Sequence, residues 1–166
     1  MRYMDTIIAG FGGQGVLLIG NLLAYAGMND GLNVTYIPVY GVEMRGGTAN
    51  CTVVLSEEEI GSPIIHSPQS LIAMNRPSLD KFQPRTQDGG VCIVNTSLID
   101  MELADKDRLK CFDVPMNDIA DDLGNARFVN MVAMGAYVQA TQIVSLDAVI
   151  KSLENVISPR YHKLLP

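Results

Sequence analysis

The stretch 6-TIIAGFGGQGVLLIG-20 decides how the rest of the chain is read. Thr6-Ile7-Ile8-Ala9 is a short apolar run that stops in glycines, as a buried strand does before a tight turn. Gly10, Gly12 and Gly15 then fall on the spacing G-x-G-x-x-G. From Gln14 or Gly15 to Asn29 the sequence is apolar on nearly every side, which predicts a helix buried on more than one face and stopped by Asp30-Gly31. Strand, glycines and helix in that order give the spacing its meaning. Glycine lets the backbone turn tightly and lets a phosphate come close, and the helix N-terminus offers N–H donors and positive potential.

Further strands are expected at Asn33 to Val39, Thr48 to Leu55, residues 69–75 and 91–95, and Cys111 to Val114. A helix is expected around Pro77 to Phe82, with Pro77 suited to a first turn. Past Gly124-Asn125 the sequence predicts a long helix over Ala126 to Val144. A second is expected behind Ser145 as N-cap, with Leu146, Val149, Ile150, Leu153, Val156 and Ile157 forming its buried face. The tail from Pro159 reads as irregular. Strands alternating with helices, with continuous apolar strands, predict an α/β fold. It is expected to be a single doubly wound, mainly parallel sheet with helices on both faces, Rossmann-like, forming one domain over residues 1–166.

Composition limits the function classes. The chain has 166 residues, 48% of them hydrophobic and 18% charged, against roughly 25% charged in an average soluble domain. Either a well-filled core or surface buried against partners accounts for this. Net charge is −6, with no basic run, so neither nucleic acid nor an acidic membrane is an expected partner. Three cysteines, Cys51, Cys92 and Cys111, lack C-x-x-C spacing and suit neither a disulfide scaffold nor a cluster or structural zinc site. Each sits among apolar neighbours and is read as a buried strand residue. The start shows no signal peptide and no run is long enough to span a bilayer, so a reducing cytoplasm is expected.

The glycine spacing meets only half of the dinucleotide signature. A nicotinamide cofactor calls for an acidic residue about 20 positions on, at the end of the second strand, and NVTYIPVY offers none. A nucleoside-triphosphatase loop needs Gly-Lys-Ser/Thr, whereas Val, Leu and Leu follow Gly15. Two readings stay open on the glycines alone: a phosphate-accepting turn, or glycines that only pack the first helix on the sheet.

The second unusual stretch is 40-YGVEMRGGTAN-50, where Glu43 and Arg45 stand beside Gly46-Gly47 in an otherwise apolar region. It follows the carboxyl end of the second strand, where doubly wound sheets place ligands. A solvated turn with a local ion pair is the plainer reading. Taken with GFGGQG and 124-GNARFVNMVAMGA-136, however, this loop resembles the gamma subunit of 2-oxoacid:ferredoxin oxidoreductases, over nearly the whole chain. The form E-M-R-G-G-T-A-N-C is most similar to the 2-oxoglutarate and branched-chain types.

The resemblance implies a coenzyme A-dependent oxidative decarboxylation of a 2-oxoacid, giving an acyl-CoA and electrons for ferredoxin. It implies that thiamine diphosphate, magnesium and iron–sulfur clusters sit on partner subunits (alpha, beta and, where there is one, delta), and that this chain alone is inactive. Gly10, Gly12, Gly13, Gln14 and Gly15 would form a coenzyme A site shared with those partners. Tyr40, Gly41, Glu43, Arg45, Gly46 and Gly47 would form a loop against the catalytic subunits. No catalytic residue and no metal ligand is expected here, and His66 and His162 stand without partners at ligand spacing. The alternative is a free-standing NAD(P)-dependent oxidoreductase.

Overall fold

Ile7, Ile8 and Ala9 are each 2% exposed or less, so the first strand is covered on both faces. That burial explains why an unbroken apolar run, rather than an alternating one, opens the chain. The structure, a computed structural model, describes residues 1–40 and 48–165. Among them, six strands form one sheet: β1 (Tyr3–Phe11), β2 (Asn33–Tyr40), β3 (Thr48–Ser56), β4 (Ser70–Ala73), β5 (Val91–Asn95) and β6 (Lys110–Val114). Their order across the sheet is β2-β3-β1-β4-β5-β6. The pairs β1–β4, β4–β5 and β5–β6 are parallel, so the expected mainly parallel α/β sheet is present.

One feature of the sheet differs from the sequence reading. β3 runs antiparallel to both β1 and β2 and separates them. Apolar periodicity reports burial and carries no strand direction, so this hairpin return was invisible in composition.

The helices are α1 (Val16–Asn29), α2 (Arg76–Phe82), α3 (Met116–Asp122), α4 (Val129–Thr141) and α5 (Leu146–Val156). On one face, α1, α3, α4 and α5 bury Ile19, Leu23, Met116, Met134, Tyr137 and Val149 against Ile8, Ile72 and Ile93. On the other, α2 and the segment after β5 bury Leu79, Phe82, Ile99 and Leu109 against Ile7, Leu71 and Val94. Alternate residues of each central strand thus feed opposite cores, as the pleat requires.

Four expectations are corrected. The polar helix α3 has no counterpart in the sequence reading, because MNDIADD presents only Met116 and Ala120 to the core. The long C-terminal helix begins later and ends earlier than expected. Asn125 caps a 3-10 turn over Ala126–Phe128, and Gln142 terminates α4 in the left-handed region at φ 51. In α5 the buried residues are Ala148, Val149 and Ser152, whereas Leu146 is 59% exposed. The face follows small residues because α5 lies closely against α1, with Asn29 Nδ2 donating to the Ala148 carbonyl. The tail is a 3-10 stretch over Pro159–Leu164 rather than irregular chain. Ser145 does cap α5, its Oγ accepting from the Ala148 N–H at 3.1 Å.

Candidate functional site

The glycine turn leaves the carboxyl end of β1 at the edge of the sheet where β4 and β5 also end. Gln14 shapes it. The Gln14 N–H donates to the Phe11 carbonyl at 3.2 Å, and the Phe11 N–H donates back to Gln14 Oε1 at 2.7 Å. Gln14 Nε2 then reaches the Met74 carbonyl at 3.3 Å, which ties the turn to the strand next door. Asn95 Nδ2, at the end of β5, donates to the same carbonyl at 3.0 Å, and Asn95 Oδ1 accepts from the Met116 N–H at 3.1 Å. Three strand ends and the start of α3 are therefore held by one hydrogen-bonded chain of residues.

The glycines divide their work. At Gly10 a Cβ would stand 2.5 Å from Gln14 Oε1 and 2.7 Å from Met74 Cβ, so this position permits the close approach of turn and strand. Gly15 combines two demands. Its φ is +75, and a Cβ there would meet Asn130 Nδ2 at 2.7 Å. Gly13 has φ +94 and nothing within 4 Å of the place a Cβ would take. Packing explains Gly10 and part of Gly15, but it does not explain the open side at Gly13. Gly12 and Gly13 are exposed.

Directly behind the turn, α1 begins at Val16 with no side-chain cap and no acidic residue in its first turn. A helix start leaves its first N–H groups without intrahelical partners and carries positive potential. Among the described residues, no side-chain cap and no acidic residue of the first turn offset that potential. The arrangement suits an anion approaching from the Gly13 side.

Among the described residues that build this turn, Gly10 to Gly15, Met74, Asn95 and Asn130, none carries an acidic or basic side chain. Cys51 lies behind it, donating from Sγ to the Val16 carbonyl at 3.7 Å, and burial pushes its thiol up to about 12, so it stays protonated and is no nucleophile. The described groups at the turn are backbone amides and carboxamide side chains, which suit binding and orientation.

Several contributors escaped sequence reading. Asn130 lies within the stretch 124–136, but its place against Gly15 follows only from packing 115 positions away in the chain. Asn75, just beyond β4, accepts the Ser78 N–H at 2.9 Å through Oδ1, capping α2. Its Nδ2 and the Ser78 hydroxyl are buried without a hydrogen-bond partner. The dipeptide N-R before Pro77 was a legible capping signal; the unpaired atoms were not.

Of the second loop, Tyr40 closes β2 opposite Ala49, and Gly41, Glu43, Arg45, Gly46 and Gly47 lie outside the described residues. The first residue after them, Thr48, pairs with Phe11. Tyr40 and Thr48 therefore both stand at the edge that carries the glycine turn. His66 is exposed, and His162 Nε2 lies 2.8 Å from the Ile157 carbonyl.

The sheet order argues against the nicotinamide alternative. In a dinucleotide-binding fold the second strand lies beside the first, and its end holds the ribose. Here antiparallel β3 occupies that place, and β2 stands one strand further out. At about 4.8 Å per strand, an acid on β2 would be displaced by a whole strand width. Asp30 is engaged elsewhere, accepting from the Ser145 N–H at 2.6 Å.

Comparison with known proteins agrees. Residues 5–165 match the family model described as pyruvate ferredoxin/flavodoxin oxidoreductase. The ketoisovalerate oxidoreductase subunit VorA of Methanothermobacter marburgensis is 41% identical over 146 residues, covering 88% of this chain. The chain spans only 30% of that relative's length. The 2-oxoglutarate synthase subunit KorC of the same organism is 37% identical over 158 residues, covering 92% of this chain and 85% of the relative. Among solved structures, 2-oxoglutarate:ferredoxin oxidoreductase from Magnetococcus marinus with 2-oxoglutarate, coenzyme A and succinyl-CoA bound superposes with a TM-score of 0.84. It is 21% identical, and the match covers 99% of this chain and 28% of that one, a likeness of fold. The chain belongs to the pyruvate ferredoxin/flavodoxin oxidoreductase family.

Proposed function

We propose that this member of the pyruvate ferredoxin/flavodoxin oxidoreductase family is the gamma-type subunit of a 2-oxoacid:ferredoxin oxidoreductase of the 2-oxoglutarate or branched-chain type. Its glycine turn would bind the phosphates of coenzyme A in a site shared with partner subunits. The observation that carries the reading is the uncapped, acid-free start of α1 beside a left-handed Gly13 with open space around it. Family membership supplies the reaction class, and a fold neighbour with coenzyme A bound is consistent with the ligand.

The overall reaction balances as 2-oxoacid, coenzyme A and two oxidised ferredoxins giving acyl-CoA, carbon dioxide, two reduced ferredoxins and a proton. Thiamine diphosphate with magnesium would serve decarboxylation, and iron–sulfur clusters electron transfer, all on the partner alpha, beta or delta chains. This chain's residues bind and orient. Gly12, Gly13 and Gly15 would present N–H groups to phosphate oxygens, and Gln14 holds the turn through Phe11 and Met74. Gly10 allows that turn to seat against Met74. The segment with Gly41, Glu43, Arg45, Gly46 and Gly47, continuing from Tyr40, would pack against the catalytic subunits.

The test is isolation of the native complex through a tag on this chain. Co-elution of thiamine- and cluster-bearing chains, with coenzyme A-dependent reduction of a viologen dye by 2-oxoacids, is the expected result. A lone chain that binds NADH stoichiometrically would overturn it. No helix among the described residues is long and apolar enough to cross a membrane.

A further inference from the structure

Cys92 on β5 and Cys111 on β6 are register partners in adjacent parallel strands. Strands lie about 4.8 Å apart, inside the roughly 4.4–6.8 Å between Cα atoms that a disulfide spans. Both side chains point to the same face, because Cys92 belongs to the core under α2 and Cys111 packs against that core. The two thiols are close enough for each to shift the other's proton affinity. They differ in access: Cys92 is fully buried, and Cys111, on the outermost strand, is only partly covered. Neither belongs to the glycine turn or its supports.

We propose that Cys92 and Cys111 form a thiol-oxidation site that closes to a reversible disulfide when the protein meets a small organic disulfide. The inference does not depend on the function proposed above. Cys111 is the attacking group. The neighbouring Cys92 holds its thiol below the ordinary cysteine range, against the opposing effects of burial and Asp105, with Lys106 also favouring the thiolate. The same proximity and burial push Cys92 up, so it remains a thiol until a partner sulfur arrives.

The Cys111 thiolate attacks one sulfur of the disulfide RSSR, forming a Cys111–SR bond and expelling RS⁻. That thiolate takes the Cys92 proton. Cys92 sulfur then attacks Cys111 Sγ and displaces the second RS⁻, which picks up the proton lost when Cys111 ionised. Two protein thiols and RSSR become one protein disulfide and two RSH. The product ties edge strand β6 to β5, and a dithiol reverses it.

The experiment treats the full chain with oxidised glutathione, unfolds it, blocks free thiols with N-ethylmaleimide and weighs it. With three cysteines in the chain, the untreated protein should take three labels. The oxidised protein should take one, on Cys51, with no glutathione retained and a Cys92–Cys111 cross-linked peptide. Dithiothreitol should restore all three. Cys92→Ser should stop at a stable glutathione adduct on Cys111, and Cys111→Ser should acquire none. Should Cys92→Ser not fold, Cys92→Ala replaces it. Three labels on the treated wild type, a stable glutathione adduct on it, or a disulfide that includes Cys51 would each overturn the proposal.

Discussion

Gln14 Nε2 donates to the Met74 carbonyl across 60 positions of sequence, at 3.3 Å, and fixes the glycine turn of β1 to the end of β4. Because the same side chain accepts the Phe11 N–H, the turn's shape rests on one residue. Gln14→Ala removes both bonds and leaves a backbone N–H to water. The expected cost is about 1–2 kcal/mol. In the assembled enzyme the Michaelis constant for coenzyme A should rise with kcat little changed, since the loss falls on binding. Steady-state kinetics on the complex, with calorimetry of the chain, checks both.

Gly15 and Gly13 should respond differently to alanine. Both demand positive φ, but only Gly15 has Asn130 in the place of the new methyl. Gly15→Ala should therefore destabilise more than Gly13→Ala, with strain of order 1–3 kcal/mol at each position and overlap added at Gly15. Asn130→Ala should recover part of the Gly15→Ala loss and none of the Gly13→Ala loss. Urea unfolding of the three single variants, the two double variants and the wild type measures this coupling.

The Ser78 hydroxyl is buried without a partner, so Ser78→Ala removes a desolvation cost and loses no bond. Stability should stay level or rise slightly, within about 0.5 kcal/mol. Asn75→Ala behaves oppositely, because it deletes the cap that Asn75 Oδ1 provides to α2. That should cost about 1 kcal/mol. Equal losses in the two variants would show that the Ser78 hydroxyl has a partner.

Alkali should weaken the fold in a defined window. Burial pushes Cys51 from 9.0 to about 12, and Tyr137, fully buried beside Thr6 and Ser70, is also raised above its usual 10.0. Above pH 9 the unfolded chain releases these protons while the folded chain keeps them, so the unfolded state binds fewer and stability falls as pH rises. Stability from these groups is intact below pH 9 and declines from there through about pH 12. Tyr137→Phe should flatten the part of the decline that begins near pH 10. Chemical unfolding across this range reads the slope.

Much of the fold was legible because burial writes itself into composition. The apolar run ending in Ala9 and the glycine-stopped helix Val16–Asn29 stand where the sequence placed them. The antiparallel return of β3 was not legible, and neither was α3, whose buried residues are Met116 and Ala120. The α5 face misled because large residues suggested burial where close packing on α1 needed Ala148 and Ser152. At the site, the turn was legible from Gly10 to Gly15. The supports that bring Met74, Asn95 and Asn130 to it depend on tertiary contacts with no local signal.

In the proposed site, phosphate approaches the turn at Gly13. Replacement by Asp and by Asn separates charge from strain, since both must adopt φ +94 and they are nearly the same size. The measurement is the Michaelis constant for coenzyme A in the assembled enzyme carrying each. A carboxylate beside a bound phosphate should raise the Asp value at least about tenfold above the Asn value, equivalent to about 1.4 kcal/mol. Equal constants in the two variants, with assembly intact, would contradict the account.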